Sequence, residues 1–239
     1  MNKNFLSQLR EKAHEGIAKR IFADADNTDA ELRKLADMIA TKCEAVPVYG
    51  PIKQQARAAE KVANDYGGDW YGLKDVVRMT IVAPTLSSLR QVQSLIREEC
   101  VARNGLSLLK DVEVFANSSP CGYSGMNFVI SMSNGRPAEI QANIPEVMYG
   151  QLNEKNFRGT VGEEKFNEIK GRYRVEGGLG HGLYEIYRVS PGSVKAKHAA
   201  LISKQYFDYL RGFPTWTATE ELQRELAAII KANPTIFHS

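Results

Sequence analysis

Near the start of the chain, apolar residues recur at helical spacing. Phe5, Leu6, Leu9, Ile17 and Ile21 fall close to one face, with Lys and Glu elsewhere. Asn27-Thr28 interrupts that pattern, and Thr28 with Glu31 forms a capping box, so a second helix is expected to turn Leu32, Leu35, Met38 and Ile39 inward. Pro47, Gly50 and Pro51 close this unit. A third helix is expected over about 51–66, with Pro in its first turn, Ile52, Ala56, Ala59 and Val62 on its buried side, and Gly67-Gly68 as its stop. The period then changes. Residues 75–82, Asp75-Val76-Val77-Arg78-Met79-Thr80-Ile81-Val82, are β-branched and apolar and predict a buried strand ended by Pro84. A helix with Leu86, Leu89, Val92, Leu95 and Ile96 follows. Further strands are expected over 108–115, 126–133 and 138–143, the last two joined at the hairpin signal Asn134-Gly135. Beyond Pro145 the pattern is mostly helical. Ser193 caps a helix to about 210, and Thr217 with Glu220 forms a capping box before Leu222, Leu226, Ile229 and Ile230.

Helices, then strands with a helix among them, then helices again predict an α+β fold: a mixed β-sheet backed by helices, with helical N- and C-terminal extensions. No internal repeat or long linker divides the 239 residues. The expectation is one domain over 1–239, with a helical extension over 1–46, a core over 47–190 and a helical extension over 191–239.

Composition narrows the class. Hydrophobic residues at 43% and charged residues at 25% provide for a buried core and exclude disorder as the main state. Lys+Arg 31 against Asp+Glu 28 leaves +3, which suits an anionic substrate without marking a nucleic-acid binder. Cys43, Cys100 and Cys121 are far apart, which argues against a disulfide framework or a cysteine zinc site and for reduced thiols in a cytosolic setting. No apolar run approaches the roughly 20 residues that span a bilayer. The N-terminus is amphipathic, unlike a signal-peptide core, so the expected site of action is the cytoplasm, and export needs a non-classical route or injection.

Four features suggest chemistry. Lys53, Arg57 and Lys61, spaced by four, put three cations along one side of the third helix. A polyphosphate is a natural partner for them, and a solvated basic face is the other reading. Asp75 opens a strand, where a carboxylate can hold Mg²⁺ or simply make a turn. Alternation puts Glu139, Gln141 and Asn143 on one face of a strand and Ile140 on the other. In a central strand that polar face needs partners or a ligand, whereas in an edge strand water serves. A two-residue Asn134-Gly135 turn would set Glu139 across from Ile130, unless Pro137 marks a bulge. Finally, Gly122-Tyr123-Ser124-Gly125-Met126-Asn127 flanks an aromatic ring with glycines before a strand, suited to base stacking or to core packing.

In this order, the basic helix of Lys53–Lys61, Asp75-Val76-Val77-Arg78, Gly122-Tyr123-Ser124-Gly125-Met126-Asn127 and Glu139-Ile140-Gln141 resemble the synthetase domain of the RelA/SpoT family, the alarmone pyrophosphokinases. The resemblance covers about residues 50–190. The stretch Gly178-Leu179-Gly180-His181-Gly182-Leu183-Tyr184-Glu185-Ile186 is similar to the end of divergent members. The resemblance implies a nucleotidyltransferase-like sheet that moves pyrophosphate from ATP to a ribose hydroxyl, releasing AMP. It implies that Lys53, Arg57, Lys61 and Arg78 bind ATP, and that Asp75 and Glu139 are catalytic and hold Mg²⁺, with Glu139 helping to deprotonate the hydroxyl. Tyr123, Asn127 and Gln141 then bind the acceptor, Tyr123 by stacking on its base.

The chain departs from the family at several places. Pro51 and Thr80 stand where arginines are usual, with Arg78 the nearest substitute for the second. Arg57 replaces a Ser, Asn127 a His and Asn143 an Arg. No His-Asp dipeptide of the hydrolase half occurs, and the length leaves no room for regulatory domains. The pattern is that of a divergent stand-alone or toxin-like branch. The acceptor stays open between GDP or GTP and an adenosine nucleotide, giving a (p)ppGpp- or (p)ppApp-type alarmone. The tRNA 3′ end and a catalytically silent nucleotide- or RNA-binding module are the alternatives. An antitoxin or immunity protein and self-association are compatible with such a branch.

Overall fold

The structure, a computed structural model, describes residues 15–113, 119–212 and 219–237. The expectations placed on Phe5, Leu6, Leu9, Phe115 and Thr217 lie outside them. The described residues gather into two units. The first draws on 15–81, Arg90–Val112 and Asn127–Ala142, the second on Val82–Leu89, Glu113, 119–126, 143–212 and 219–237.

The first unit is built on a five-stranded sheet. In chain order its elements are α1 (15–23), α2 (Ala25–Lys42), β1 (Val46–Tyr49), α3 (Gln55–Asp65), a 3₁₀ turn (Trp70–Gly72), β2 (Arg78–Val82), α4 (Leu86–Ala102), β3 (Ser107–Glu113), β4 (Met126–Ser131) and β5 (Pro137–Asn143). The strand order is β1-β2-β5-β4-β3. Strand β5 is therefore central in the sheet. Two bonds fix the direction of β2 beside it: Glu139 N–H donates to Val77 O at 3.0 Å and Ala83 N–H to Asn143 O at 2.8 Å. Both segments advance together, so the pair is parallel and Arg78 lies level with Glu139. β4 and β5 form an antiparallel hairpin, which makes the sheet mixed.

The hairpin register differs from the two-residue expectation. Gly135 N–H and Met132 O close a turn at 2.7 Å, and Met132 N–H donates to Arg136 O at 2.8 Å. The loop thus has three residues, with Gly135 at φ 75°, the left-handed position that a three-residue hairpin asks for. Counting back from that pair puts Glu139 opposite Val129, not Ile130, and Gln141 opposite Asn127. Alternation then divides the sheet. Met79, Ile81, Phe128, Ile130, Ala138 and Ile140 are buried on one face, while Arg78, Thr80, Asn127, Glu139 and Gln141 on the other retain exposure. Leu32, Leu35 and Ile39 of α2 and Val92 and Ile96 of α4 are buried in the same unit.

Three sequence expectations are corrected. Thr28 does not cap a helix, because α2 starts at Ala25 and the Thr28 hydroxyl donates back to Asp24 O at 2.8 Å within it. Glu31 instead accepts from the Ser133 N–H and hydroxyl at 3.2 and 2.9 Å. β1 was not anticipated: Pro47 suggested a break, but a proline is tolerated on an edge strand. α3 starts at Gln55, four residues later than expected, and it buries Ala58 and Val62 while Ala56 and Ala59 face solvent.

The second unit is helical: α5 (Pro145–Gln151), α6 (Glu154–Val161), α7 (Glu163–Tyr173), α8 (Leu179–Val189), α9 (Val194–Leu210), α10 (Thr219–Ala232) and α11 (Pro234–Phe237). α8 packs along α9, and α5 touches both. Ser193 caps α9 as its sequence position suggests, accepting from Ala196 N–H at 3.1 Å. Tyr149 and Tyr206 are buried and donate to Val175 O and Glu176 O, each at 2.7 Å. Burial, with Glu154 and Glu176 nearby, pushes the Tyr149 phenol up to about 12, so it stays a neutral donor.

Candidate active site

Asp75 does not start the strand, as the sequence suggested. It lies three residues before β2, in an irregular segment, and it is 7% exposed. Burying a carboxylate there is costly unless cations meet it. Two do. Lys53 Nζ donates to Asp75 Oδ2 at 2.6 Å and Lys61 Nζ to the same oxygen at 2.8 Å. The two lysines reach it from different backbone settings. Lys53 precedes α3, in a stretch pinned by its own N–H on Val76 O at 2.9 Å. Lys61 projects from α3, one residue before buried Val62, with its ammonium 5.8 Å from the Tyr66 ring centroid.

The three cations therefore do not share one helical face. Because α3 begins after Lys53, spacing of four no longer aligns them. Arg57 points outward, its side chain 76% exposed, and pairs with Glu60 at 3.0 Å.

The electrostatics follow from this triad. Burial alone would raise the Asp75 carboxyl, but the hydrogen bonds and charges of Lys53 and Lys61 outweigh it and hold it below the usual carboxylate range. Burial pulls the Lys61 ammonium down, and the Asp75 bond and charge, with Tyr66 and Glu139, outweigh that and raise it. Lys61 thus senses both carboxylates.

Glu139 is half-buried on the polar face of β5 and accepts from Asn127 Nδ2 at 2.7 Å. With Gln141 opposite Asn127, this is a diagonal contact between neighbouring strands. Arg78, exposed, stands level with Glu139 on β2. The first unit thus brings together Lys53, Lys61 and Asp75, and places Glu139, Asn127, Gln141 and Arg78 on one sheet face.

Tyr123 belongs to the second unit. It is half-buried, with its ring edge-on to Phe207 at 6.2 Å between centroids. Asn143, expected on the polar face of β5, is instead buried. Its Nδ2 donates to Ser124 O at 2.9 Å and to the Tyr123 hydroxyl at 3.4 Å, and its Oδ1 accepts from Ile144 N–H at 3.0 Å. A side chain that ends a strand is free to satisfy a neighbouring loop, which alternation does not foresee.

The residues present fit a divalent cation. Asp75 Oδ1 is buried and makes no hydrogen bond among the described residues. A buried acceptor left so is costly, and a hard cation is a natural partner for it. No group of three or more His, Cys, Asp or Glu side chains suited to a metal exists among the described residues. No described helix is long and apolar enough to cross a membrane.

No protein-family model matches the chain. It is 33% identical over 194 residues to the (p)ppApp synthetase toxin Tas1 of Pseudomonas aeruginosa (strain UCBPP-PA14), a match that covers 81% of this chain and 42% of that protein. The chain thus spans less than half the length of this curated relative. In the crystal structure of the complex between the type VI effector Tas1 and its immunity protein, the matching chain is 32% identical with a TM-score of 0.71, covering 81% of this chain and 96% of that one. A more distant likeness, too weak to bear on the site, is to the small alarmone synthetase 1 of Bacillus subtilis bound to its product pppGpp. That chain is 13% identical with a TM-score of 0.47, over 94% of this chain and 99% of its own.

Proposed function

Because the chain belongs to the RelA/SpoT-type synthetase family, in the toxin-like branch of Tas1, we propose that it transfers pyrophosphate from ATP to a ribose hydroxyl of an adenosine nucleotide. The observation that carries this reading is the triad of Lys53, Asp75 and Lys61, with one Asp75 oxygen taken by both ammoniums and the other buried without a hydrogen bond. Structural ion pairing alone does not call for a second cation beside a single carboxylate oxygen.

In the proposed reaction the acceptor hydroxyl oxygen attacks the β-phosphorus of ATP. A new O–P bond forms, the bond from the bridging oxygen to the β-phosphorus breaks, and AMP leaves with that oxygen. The hydroxyl proton passes to the Glu139 carboxylate. Asn127, donating to Glu139 Oε1, holds the carboxylate's rotamer and leaves Oε2 for that proton. Lys53 and Lys61 exchange Asp75 for triphosphate oxygens. Lys61, with its pKa raised, arrives fully charged. Asp75 and Glu139 would hold Mg²⁺, which, when bound, neutralises charge on the transferring phosphates. Arg78, open to solvent, serves the donor; Tyr123 stacks on the acceptor base, with Gln141 supporting the acceptor side. Arg57, turned to solvent, sits outside this group.

Tas1 is described as a type VI effector in complex with an immunity protein. We take this chain likewise to act as a growth-inhibiting toxin in the cytoplasm of a target cell and to be neutralised there by a dedicated protein.

The test is transfer of label. Protein, Mg²⁺ and γ-³²P-ATP are incubated with ADP, AMP, GDP, GTP or tRNA. Label is expected on adenosine nucleotides, with stoichiometric AMP. Label on guanosine nucleotides alone would move the acceptor class, label on tRNA would replace the acceptor, and no label with folded protein would leave a silent binding module.

A further inference from the structure

The loop that carries Tyr123 is tied down largely from one direction. The Ser203 hydroxyl donates to Cys121 O at 2.7 Å. Arg211 Nη1 donates to Gly122 O at 2.7 Å and to Ser124 Oγ at 2.6 Å, one contact on each side of Tyr123. The loop's own turn is closed by Ser119, whose N–H donates to Tyr123 O at 3.0 Å and whose hydroxyl accepts from Tyr123 N–H at 3.1 Å. Gly122 has φ 75°, and a Cβ there would lie 2.4 Å from Lys204 Cα, so the loop backbone rests directly on the backbone of α9. The Tyr123 ring meets Phe207 of the same helix. Ser203, Lys204 and Phe207 belong to α9, and Arg211 is its C-terminal cap.

Arg211 is the centre of this arrangement. Its side chain is 5% exposed and pairs with Asp208, which Lys204 braces from the other side at 2.7 Å. A buried guanidinium is costly unless its donors are met. Here two of the groups that meet them are those that flank Tyr123. Nη1 meets the loop on both sides of Tyr123 while Nη2 is held on Asp208, a planar, forked arrangement that a point charge does not reproduce.

We infer that α9 and its cap are the mount of the acceptor pocket, and that Arg211 is a positioning residue for the Tyr123 ring. The helix expected as a C-terminal extension is thereby part of the acceptor machinery. Arg211 presents the ring as a preset surface, so that the acceptor does not bear the cost of ordering it. The inference rests on the proposed stacking role of Tyr123.

The test uses the full chain, with Arg211→Lys, Tyr123→Ala and the double variant. Arg211→Lys keeps a charge beside Asp208 and loses the fork. Four quantities are measured: KM for the acceptor that takes label (ADP on the proposed reading), kcat, affinity for a non-hydrolysable ATP analogue, and melting temperature. Arg211→Lys is expected to raise the acceptor KM about tenfold, with kcat and analogue affinity within about twofold. Tyr123→Ala is expected to raise the same KM at least as far, and the double variant no further, because both act through one ring. Equal losses in acceptor KM, analogue affinity and melting temperature, adding fully in the double variant, would make Arg211 merely structural. If Tyr123→Ala raises the acceptor KM and Arg211→Lys does not, the mount fails while the stacking role stands. If Tyr123→Ala leaves it unmoved, both fail. Should Arg211→Lys not fold, Ser203→Ala removes one bond of the same mount and is held to the same pattern at smaller amplitude.

Discussion

Glu139→Gln is expected to abolish transfer while leaving the fold intact, and Asp75→Asn to lose both activity and stability. The difference comes from what each carboxylate holds. A glutamine at 139 keeps a carbonyl oxygen that can accept from Asn127 Nδ2, so the hydrogen bond across β4 and β5 survives. What it loses is the proposed proton acceptor and cation ligand, for which a rate loss of at least about a hundredfold is expected. An asparagine at 75 leaves Lys53 and Lys61 beside a neutral amide, with side chains only 13% and 31% exposed. Removing one partner of a buried ion pair costs about 3–5 kcal/mol, and the partial exposure of Lys61 places this case at the lower end. The melting temperature should fall by several degrees.

The sign with pH is definite. The folded-state pKa of Asp75 is lowered, so its contribution is complete above the unfolded value of about 3.9 and is lost as the pH falls through the folded value. The stability gap between the wild type and Asp75→Asn should therefore be full at neutral pH and close in acid. A gap that persists unchanged in acid, or no gap at neutral pH, would remove the ion triad as a structural element. Near-wild-type turnover of Glu139→Gln with Mg²⁺ present would remove its role as base and ligand.

The central sheet was legible because its cause is local. Strand alternation and β-branched runs marked β2, β4 and β5, and Asn134-Gly135 marked the hairpin. What escaped was set by the third dimension. Loop length depends on one left-handed residue, Gly135, and a single added residue moved Glu139 from Ile130 to Val129. Thr28 has the chemistry of a cap, yet its hydroxyl is equally satisfied by the carbonyl four residues back, and only the packing of α2 decides between the two. At the candidate site the residue types were visible and their pairing was not. Lys53, Lys61 and Asp75 stood out separately, but nothing in their spacing says that two lysines share one carboxylate oxygen, because Lys53 lies outside the helix that carries Lys61. Arg211 had no sequence signal at all. One arginine after a helix is ordinary until the loop it reaches is seen.

Lys53→Ala and Lys61→Ala are expected to weaken ATP-analogue binding by about ten- to a hundredfold each, and Arg57→Ala by less than about twofold. The three cations are equivalent in the sequence and unequal in the structure. Both lysines bond Asp75 and can exchange it for phosphate, whereas Arg57 is largely in water and tied to Glu60, an arrangement that carries little energy. The lysine variants carry a second signature. With one ammonium gone, the pKa of Asp75 rises toward its ordinary value, so the acidic limb of the rate profile should shift to higher pH. Arg57→Ala should leave that limb in place. Binding measured by titration with a non-hydrolysable ATP analogue, beside a pH–rate profile for each variant, decides the matter. Damage from Arg57→Ala equal to that from the lysines would mean that ATP is held along the outer face of α3, and that the lysine–aspartate triad is not where its phosphates bind.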